Sequence, residues 1–277
     1  MSAARPENAT CLLREDVCVV STPLVSIVIA SYNYGRCLAE AIESALGQTR
    51  GPVEVVVVDD GSTDDSVAVA RRYPVRVIVQ SNQGVSAARN RGAAGCSGQY
   101  IVFLDADDVL EPDYVEKCLR ALSAAPPHVA YAYTGMRHFG AEEKVWDSRP
   151  FDARALLRGN FVHASALIRR DVFRESGGFD TRWHLGHEDH ELWVRLLTLG
   201  YHGVLAPEPL LRYRRHVESR NTLTKKQTHQ LKWQLRMAYP RLYWRKCLAH
   251  PFSAAYWAVR YWGLWRTKRT PSASPRS

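Results

Sequence analysis

Between Val25 and Leu122 the chain alternates four times between a short apolar run and a segment with a helical stripe. The runs are Val25–Ala30, Val53–Val58, Val75–Val79 and Tyr100–Leu104. They are β-branched and short, the pattern of strands buried on both faces. The segments that follow are Gly35–Gly47, Ser62–Arg72, Val85–Ala94 and Pro112–Leu122. In the first, Leu38, Ala41, Ile42, Ala45 and Leu46 fall on one helical face. Ser62, Asp64 and Asp65 open the second, and Pro112 stands in the first turn of the fourth. This alternation predicts an α/β chain with a mostly parallel sheet and helices on both faces.

The second half is less regular. Val129–Tyr133, Ser165–Ile168 and Tyr201–Leu205 read as strands. Glu188–Leu199 reads as a helix with Leu192, Trp193, Leu196 and Leu199 on one side. Residues 225–247 and 252–268 read as helices separated by Pro251. The expected organisation is a flexible leader over 1–22, a catalytic domain over 23–220, a basic aromatic helical extension over 221–268 and a disordered tail over 269–277.

Of the 277 residues 46% are hydrophobic and 23% charged, which excludes global disorder. The net charge of +9 is unevenly placed. From Asn221 onward there are twelve Lys/Arg and no acid, so the first 220 residues net −3. Six cysteines, at 11, 18, 37, 96, 118 and 247, form no C-x-x-C pair. Zinc-finger and disulfide-scaffold readings fail, and free thiols point to a reducing, cytoplasmic setting. Arg5, Glu7, Arg14, Glu15 and Asp16 interrupt the leader, so no signal-peptide stretch is expected. No apolar run reaches the length of a membrane span.

Ligands of open α/β sheets bind beyond the carboxyl ends of the strands. Those ends carry Ser31-Tyr32-Asn33, Asp59-Asp60-Gly61-Ser62, Ser81-Asn82-Gln83-Gly84 and Asp105-Ala106-Asp107-Asp108. Three carboxylates in four residues repel one another unless something neutralises them. In extended backbone Asp105 and Asp107 would share one side, and hard oxygen ligands suit Mg²⁺ or Mn²⁺. The competing reading is an Asp-rich cap for the helix near Pro112. No Walker-type phosphate loop, dinucleotide fingerprint or hydrolase elbow is present.

A second cluster is WHLGHEDHE, Trp183–Glu191. Its histidines, 184, 187 and 190, repeat every three residues, which is not the H-E-x-x-H zinc spacing. Asp189 precedes Leu192 by three and Trp193 by four, on the inward face. It is either an N-cap or a carboxylate aimed into a cleft as a general base.

VSIVIASYNYGRCLAEAIESALGQT, VEVVVVDDGSTDDS, SNQGVSAARNRG, YIVFLDADD and GGFD…GHEDHELWVRL, in this order, resemble the inverting family 2 glycosyltransferases from about Leu24 to His216. The resemblance implies the GT-A fold, a Rossmann-like sheet, and a nucleotide-diphosphate sugar donor, commonly a UDP-sugar. It implies that Tyr32 packs on the nucleobase, that Asp60 contacts the base, and that Asp59 assists or shapes the turn. It puts Asn82 and Arg89 in the nucleotide pocket. Asp105 and Asp107 become the D-x-D motif, with Asp105 facing the ribose or donor sugar and Asp107 binding Mn²⁺ or Mg²⁺. Asp108 could replace either. Asp189 becomes the catalytic base, Glu188 holds the acceptor, and His216 completes the metal site in some members. The Q-x-x-R-W motif of processive members is missing, which favours addition of one sugar. Tyr131–Trp146 and Phe151–His163 are expected to shape the acceptor side. An inactive GT-A scaffold that binds sugar nucleotide or membrane is the alternative, and a nucleotidyltransferase a third reading.

Ten aromatics, five of them Trp, accompany the twelve basic residues after Asn221. That mixture suits an anionic membrane surface and would bring the site to a glycan or lipid-linked acceptor. Packing of the extension onto the domain is the other reading. No nucleic-acid module is present, and nucleic acid is not an expected partner.

Overall fold

The structure is a computed structural model that describes residues 25–183, 186–216 and 225–243. The leader, His184, the helix expected over 252–268 and the tail lie outside the described residues.

Four strands, β1 (Val25–Ser31), β2 (Val53–Asp59), β3 (Arg76–Val79) and β4 (Tyr100–Asp105), pair in parallel in the order β3-β2-β1-β4. They alternate with α1 (Gly35–Leu46), α2 (Ser66–Ala70) and α3 (Val85–Ala94). Consecutive residues of each strand face opposite sides. Ile27, Ile29, Val55, Val57, Val102 and Leu104 join the core under α1, α2 and α4 (Tyr114–Ser123). Val28, Val56, Val58, Ile101 and Phe103 join the core on the other face. That core is covered by α3, α6 (Arg170–Glu175) and α7 (Glu188–Thr198). Both faces are therefore apolar, which is why these strands carry almost no polar alternation. At Gly92 of α3 a Cβ would lie 2.3 Å from Val28 Cγ1, so glycine lets this helix approach β1 closely.

Beyond β4 the sheet becomes mixed. β8 (Leu167–Arg169) runs antiparallel to β4, and β6 (Val129–Gly140) antiparallel to β8. β9 (His202–Arg215) runs parallel to β6, and β5 (Val109–Leu110) closes the edge antiparallel to β9. β7 (Lys144–Trp146) forms a hairpin with β6. β6 and β9 continue well past the expected ends at Tyr133 and Leu205. They pair with each other as far as Gly140–Arg215, a long-range ladder that carries β9 back to the acidic strand ends. α2 begins at Ser66 rather than Ser62, and Asp64 stands just ahead of it, its Oδ1 accepting the Ser66 N–H at 3.0 Å. The Asp64 Oδ2 accepts the Gly35 N–H at 2.9 Å, capping α1 from a neighbouring loop.

The described part of the basic extension packs on the domain. In α8 (Lys225–Ala238), Leu231 and Leu235 are buried in the same core as Trp183 and Trp193. Tyr239 follows, its hydroxyl bonded to Glu191, and α9 (Pro240–Tyr243) adds Leu242 and Tyr243 to the edge. Leu235→Ala is expected to destabilise the protein by about 2–5 kcal/mol, the usual loss for a buried Leu. An unchanged urea midpoint would contradict this seating of α8. Among the described residues no helix is long and apolar enough to cross a membrane.

Candidate active site

The parallel register brings the acidic ends together. Ser31 stands opposite Asp59, and Ala30 opposite Asp105, at the crevice between β1 and β4. The order β3-β2-β1-β4 reverses direction from β1 here, the position at which doubly wound sheets bind ligands.

One side of the crevice is a set of interlocked loops. Asn33 lies at φ 59°; its N–H donates to Ser62 Oγ at 2.9 Å, and its Oδ1 accepts from Thr63 N at 2.8 Å. Asp59 is buried, and its Oδ2 accepts the Ser62 N–H at 3.0 Å, which shapes the turn. Asp60, also buried, accepts from Gln80 Nε2 at 2.7 Å, Gln83 N at 2.9 Å and Gly84 N at 2.8 Å. It thus gathers the loop after β3 against the end of β2. Gly61, at φ +79°, completes the junction: a Cβ there would meet the Asn82 backbone N at 2.8 Å. Asn82 is exposed on this rim, and Tyr32 is 39% exposed, a bare aromatic face next to the interlocked turns.

Arg89 forms the centre of the site. It projects from α3, is buried, and forks to two carboxylates, Asp105 Oδ1 at 2.6 Å and Glu188 Oε1 at 2.9 Å. Its guanidinium also lies 5.2 Å from the Phe179 ring centroid. One side chain therefore joins the end of β4 to the start of α7, bringing the DADD and HEDHE segments together. Glu188 is committed to this pair in the structure. The loop that carries Phe179 is held by Asn90, which bonds both the Phe179 carbonyl and N–H at 2.8 Å.

The three aspartates after β4 separate. The chain turns at 106–107, so Asp105 and Asp107 do not share one side of an extended strand. Asp107 Oδ2 lies 2.8 Å from His216 Nε2. Burial, then Asp105, push the Asp107 carboxyl above its usual range, and His216 pulls the other way. Asp108 points elsewhere: it is buried and accepts the Arg214 N–H at 2.9 Å, anchoring β9. That engagement ties it to the backbone of β9. Among the described residues no three His, Cys, Asp or Glu form a ready cation cage. Asp107 and His216 nevertheless offer an oxygen and a nitrogen donor to one point. Two protein ligands, with the rest left to diphosphate oxygens and water, fit Mn²⁺ or Mg²⁺ bound together with a nucleotide.

Asp189 is not an N-cap. His187, at φ 65°, takes that place, and Asp189 lies inside the first turn of α7. Its Oδ1 accepts the His190 N–H at 2.6 Å, and its Oδ2 accepts from Asn160 Nδ2 at 2.8 Å. Desolvation and the adjacent Glu188 push its carboxyl up to about 7, against the opposing pull of the His190 N–H and Arg89. Such a group gains and loses a proton near neutrality, as a general base must.

Two polar residues here have no signature in the sequence. Asn160 follows α5 (Ala153–Arg158) in the segment expected to shape the acceptor side. His163 has its Nε2 3.3 Å from Thr134 Oγ1. The Thr134 hydroxyl gives its proton to the Gly135 carbonyl at 2.6 Å, so His163 Nε2 is the donor and Nδ1 carries the lone pair. Burial pushes this imidazole down to about 4, so it is neutral at ordinary pH. Neither of the other described histidines of the cluster forms part of a zinc site; His190 Nε2 donates to the Leu156 carbonyl at 2.7 Å.

A sheet of this order, with carboxylates gathered at its crevice, has the GT-A glycosyltransferase fold. Solved structures share it: S. aureus TarS in complex with UDP-GlcNAc has a TM-score of 0.60 at 16% identity, covering 72% of this chain and 61% of that one. Mannosyltransferase PcManGT from Pyrobaculum calidifontis, in complex with GDP-Man and Mn²⁺, has a TM-score of 0.54 at 20% identity, covering 83% and 65%. Residues 26–177, more than half of the chain, match glycosyl transferase family 2, and the chain belongs to that family. EpsH of Bacillus subtilis (strain 168), described as a glycosyltransferase, is 41% identical over 217 residues, 72% of this chain and 63% of EpsH. Chondroitin synthase of Escherichia coli is 44% identical over 110 residues, 38% of this chain and 16% of the synthase. The chain thus spans less than two thirds of either relative.

Proposed function

We propose that the protein moves one sugar from a nucleotide-diphosphate sugar, of the UDP-sugar class, to an acceptor hydroxyl with inversion, in glycan or polysaccharide synthesis. The observation that carries this is the Arg89 fork. It holds Asp105 of the donor side and Glu188, the neighbour of the base, within reach of one guanidinium. A nucleotidyltransferase would have no use for a base in Asp189's position.

In this reading Tyr32 stacks on the base, and Asp60 reads it from a turn that Asp59 shapes. Asn82 and Arg89 line the pocket, and Asp105 faces the ribose or sugar. Asp189 accepts the proton of the acceptor hydroxyl. The freed oxygen pair forms the new bond to the anomeric carbon, while the bond from that carbon to the phosphate oxygen breaks on the opposite face. The nucleoside diphosphate departs with that electron pair. One displacement inverts the centre and needs one base. Asp107 and His216 would hold Mn²⁺ or Mg²⁺, which supplies positive charge for the leaving diphosphate. Glu188, neutralised by Arg89, borders the acceptor side.

Proton NMR of the anomeric signal during turnover of an α-linked UDP-sugar tests the reading. A β-linked product supports it, and retention of the α linkage overturns it.

The acceptor we favour is a glycan or a lipid-linked glycan. In α8 and α9, Arg236, Met237 and Arg241 are exposed while Leu231 and Leu235 are buried. The same extension can therefore pack inward and present cations outward, to an anionic surface on the inner face of the membrane. Co-flotation with anionic vesicles that is reduced on trimming after residue 250 is the expected result; no flotation of the full chain would discard this docking.

A further inference from the structure

We infer that Asn160 is a positioning residue for Asp189: its side-chain amide fixes the orientation of the carboxylate and keeps it ionisable, coupling the acceptor-side loop to the base. The inference rests on the reading of Asp189 as the base.

The amide is oriented from both ends. Asn160 Oδ1 accepts the Val162 N–H at 3.1 Å, so Nδ2 is the end that faces Asp189 Oδ2 at 2.8 Å. Flipping the amide would set oxygen against carboxylate and NH₂ against N–H, losing both bonds. The loop itself is clamped to α7 at two flanking points. His190 Nε2 donates to the Leu156 carbonyl at 2.7 Å, and Trp193 Nε1 donates to the Val162 carbonyl at 3.0 Å. Asn160 is exposed, yet its place is set by buried partners on either side.

The carboxylate then has two different oxygens. Oδ1 is held by its own helix through His190 N–H, and Oδ2 by the loop. The groups of charge around it are Glu188 on α7, Arg89 on α3 and Asp105 on β4. Glu188 and Asp105 disfavour ionisation, and Arg89 favours it. The loop residues Gly159, Asn160, Phe161 and Val162 bring no charge. Asn160 is therefore the loop's sole polar side chain among these four, and a donor to the ionised form favours that form. Removing it leaves desolvation and Glu188 less opposed. The Asp189 midpoint should rise, and the carboxylate should sample more orientations.

The test is a ¹³C NMR titration of the aspartate carboxyls in the full chain, with the Asp189 signal assigned by its loss in Asp189→Asn. In Asn160→Ala the Asp189 midpoint should move up. Asn160→Ser, which keeps a donor, should recover part of that shift. Turnover of the nucleotide sugar that the wild type accepts should fall about tenfold at pH 7 in Asn160→Ala, with affinity for the nucleoside diphosphate unchanged. An Asp189 midpoint equal in wild type and Asn160→Ala would overturn the positioning role while leaving the base in place. Wild-type turnover by Asp189→Asn would remove the base and this role with it.

Discussion

Asp189→Asn is expected to abolish turnover and to raise the melting temperature of the same protein. The first effect follows from losing the proposed proton acceptor, a group that contributes about 10²–10⁴-fold in rate. The second follows from the surroundings of the carboxyl. Desolvation and Glu188 push it up to about 7, from an ordinary value near that of free aspartate. A carboxyl raised on folding binds its proton more tightly in the folded state. Stability is therefore lost as pH rises from about 4 through 7, and the deficit is constant above. The neutral amide escapes it, offset in part by the loss of one bond, since its single oxygen can accept from Asn160 or from the His190 N–H but not from both. A gain on the order of 2 kcal/mol at pH 8 is expected, a rise of several degrees for a domain of this size. The gain should shrink as pH falls towards 4. Calorimetry of both proteins at pH 5 and pH 8 checks this, with nucleoside diphosphate binding retained in both. A variant that melts below wild type at pH 8 would contradict the strained-base account.

The second large effect is expected at Arg89. Arg89→Met should lower stability by about 3–5 kcal/mol, because Asp105 and Glu188 then face each other around a lost cation in a desolvated crevice. The corresponding fall in melting temperature is on the order of 10 °C. Asp189 also loses the attraction that opposes its upward shift, so its titration midpoint should climb further. Arg89→Lys keeps the charge but not the fork, and should fall between the two. Equal melting temperatures for wild type and Arg89→Met would show that the pair of bonds contributes nothing.

The first half of the fold is legible in the sequence because its signal is local. β1, β2 and β4 are β-branched runs buried on both faces, and their periodicity needs no partner to be read. The acidic residues at their ends follow from the same alternation. The second half is less legible. The stretch after Tyr133 is polar and rich in glycine, and it becomes strand only because β9 pairs along it. β5 is two residues long and exists through Leu211 and Arg212. Asp64 opens its own helix through the Ser66 N–H, but it also caps α1 across 29 residues, which no local pattern shows. Asp108 belongs to a D-x-D-D run, and only the Arg214 N–H, 106 positions away, tells it from its neighbours. Asn160 and His163 are single polar residues in a loop, without spacing or repeat. Their contacts to Asp189 and Thr134 arise from tertiary structure alone.

In the proposed function the crevice between β1 and β4 is the donor site for a nucleotide-diphosphate sugar held together with a divalent cation. Thermal unfolding with a panel of nucleoside diphosphates, each with and without Mn²⁺, tests it most directly. A ligand at a hundred times its dissociation constant stabilises the folded state by about 2.7 kcal/mol, several degrees in melting temperature. The expected result is a selective rise with UDP plus Mn²⁺ that is lost in Asp107→Ala. No rise with any nucleoside diphosphate, with or without Mn²⁺, would contradict the donor site and leave a GT-A scaffold without its chemistry.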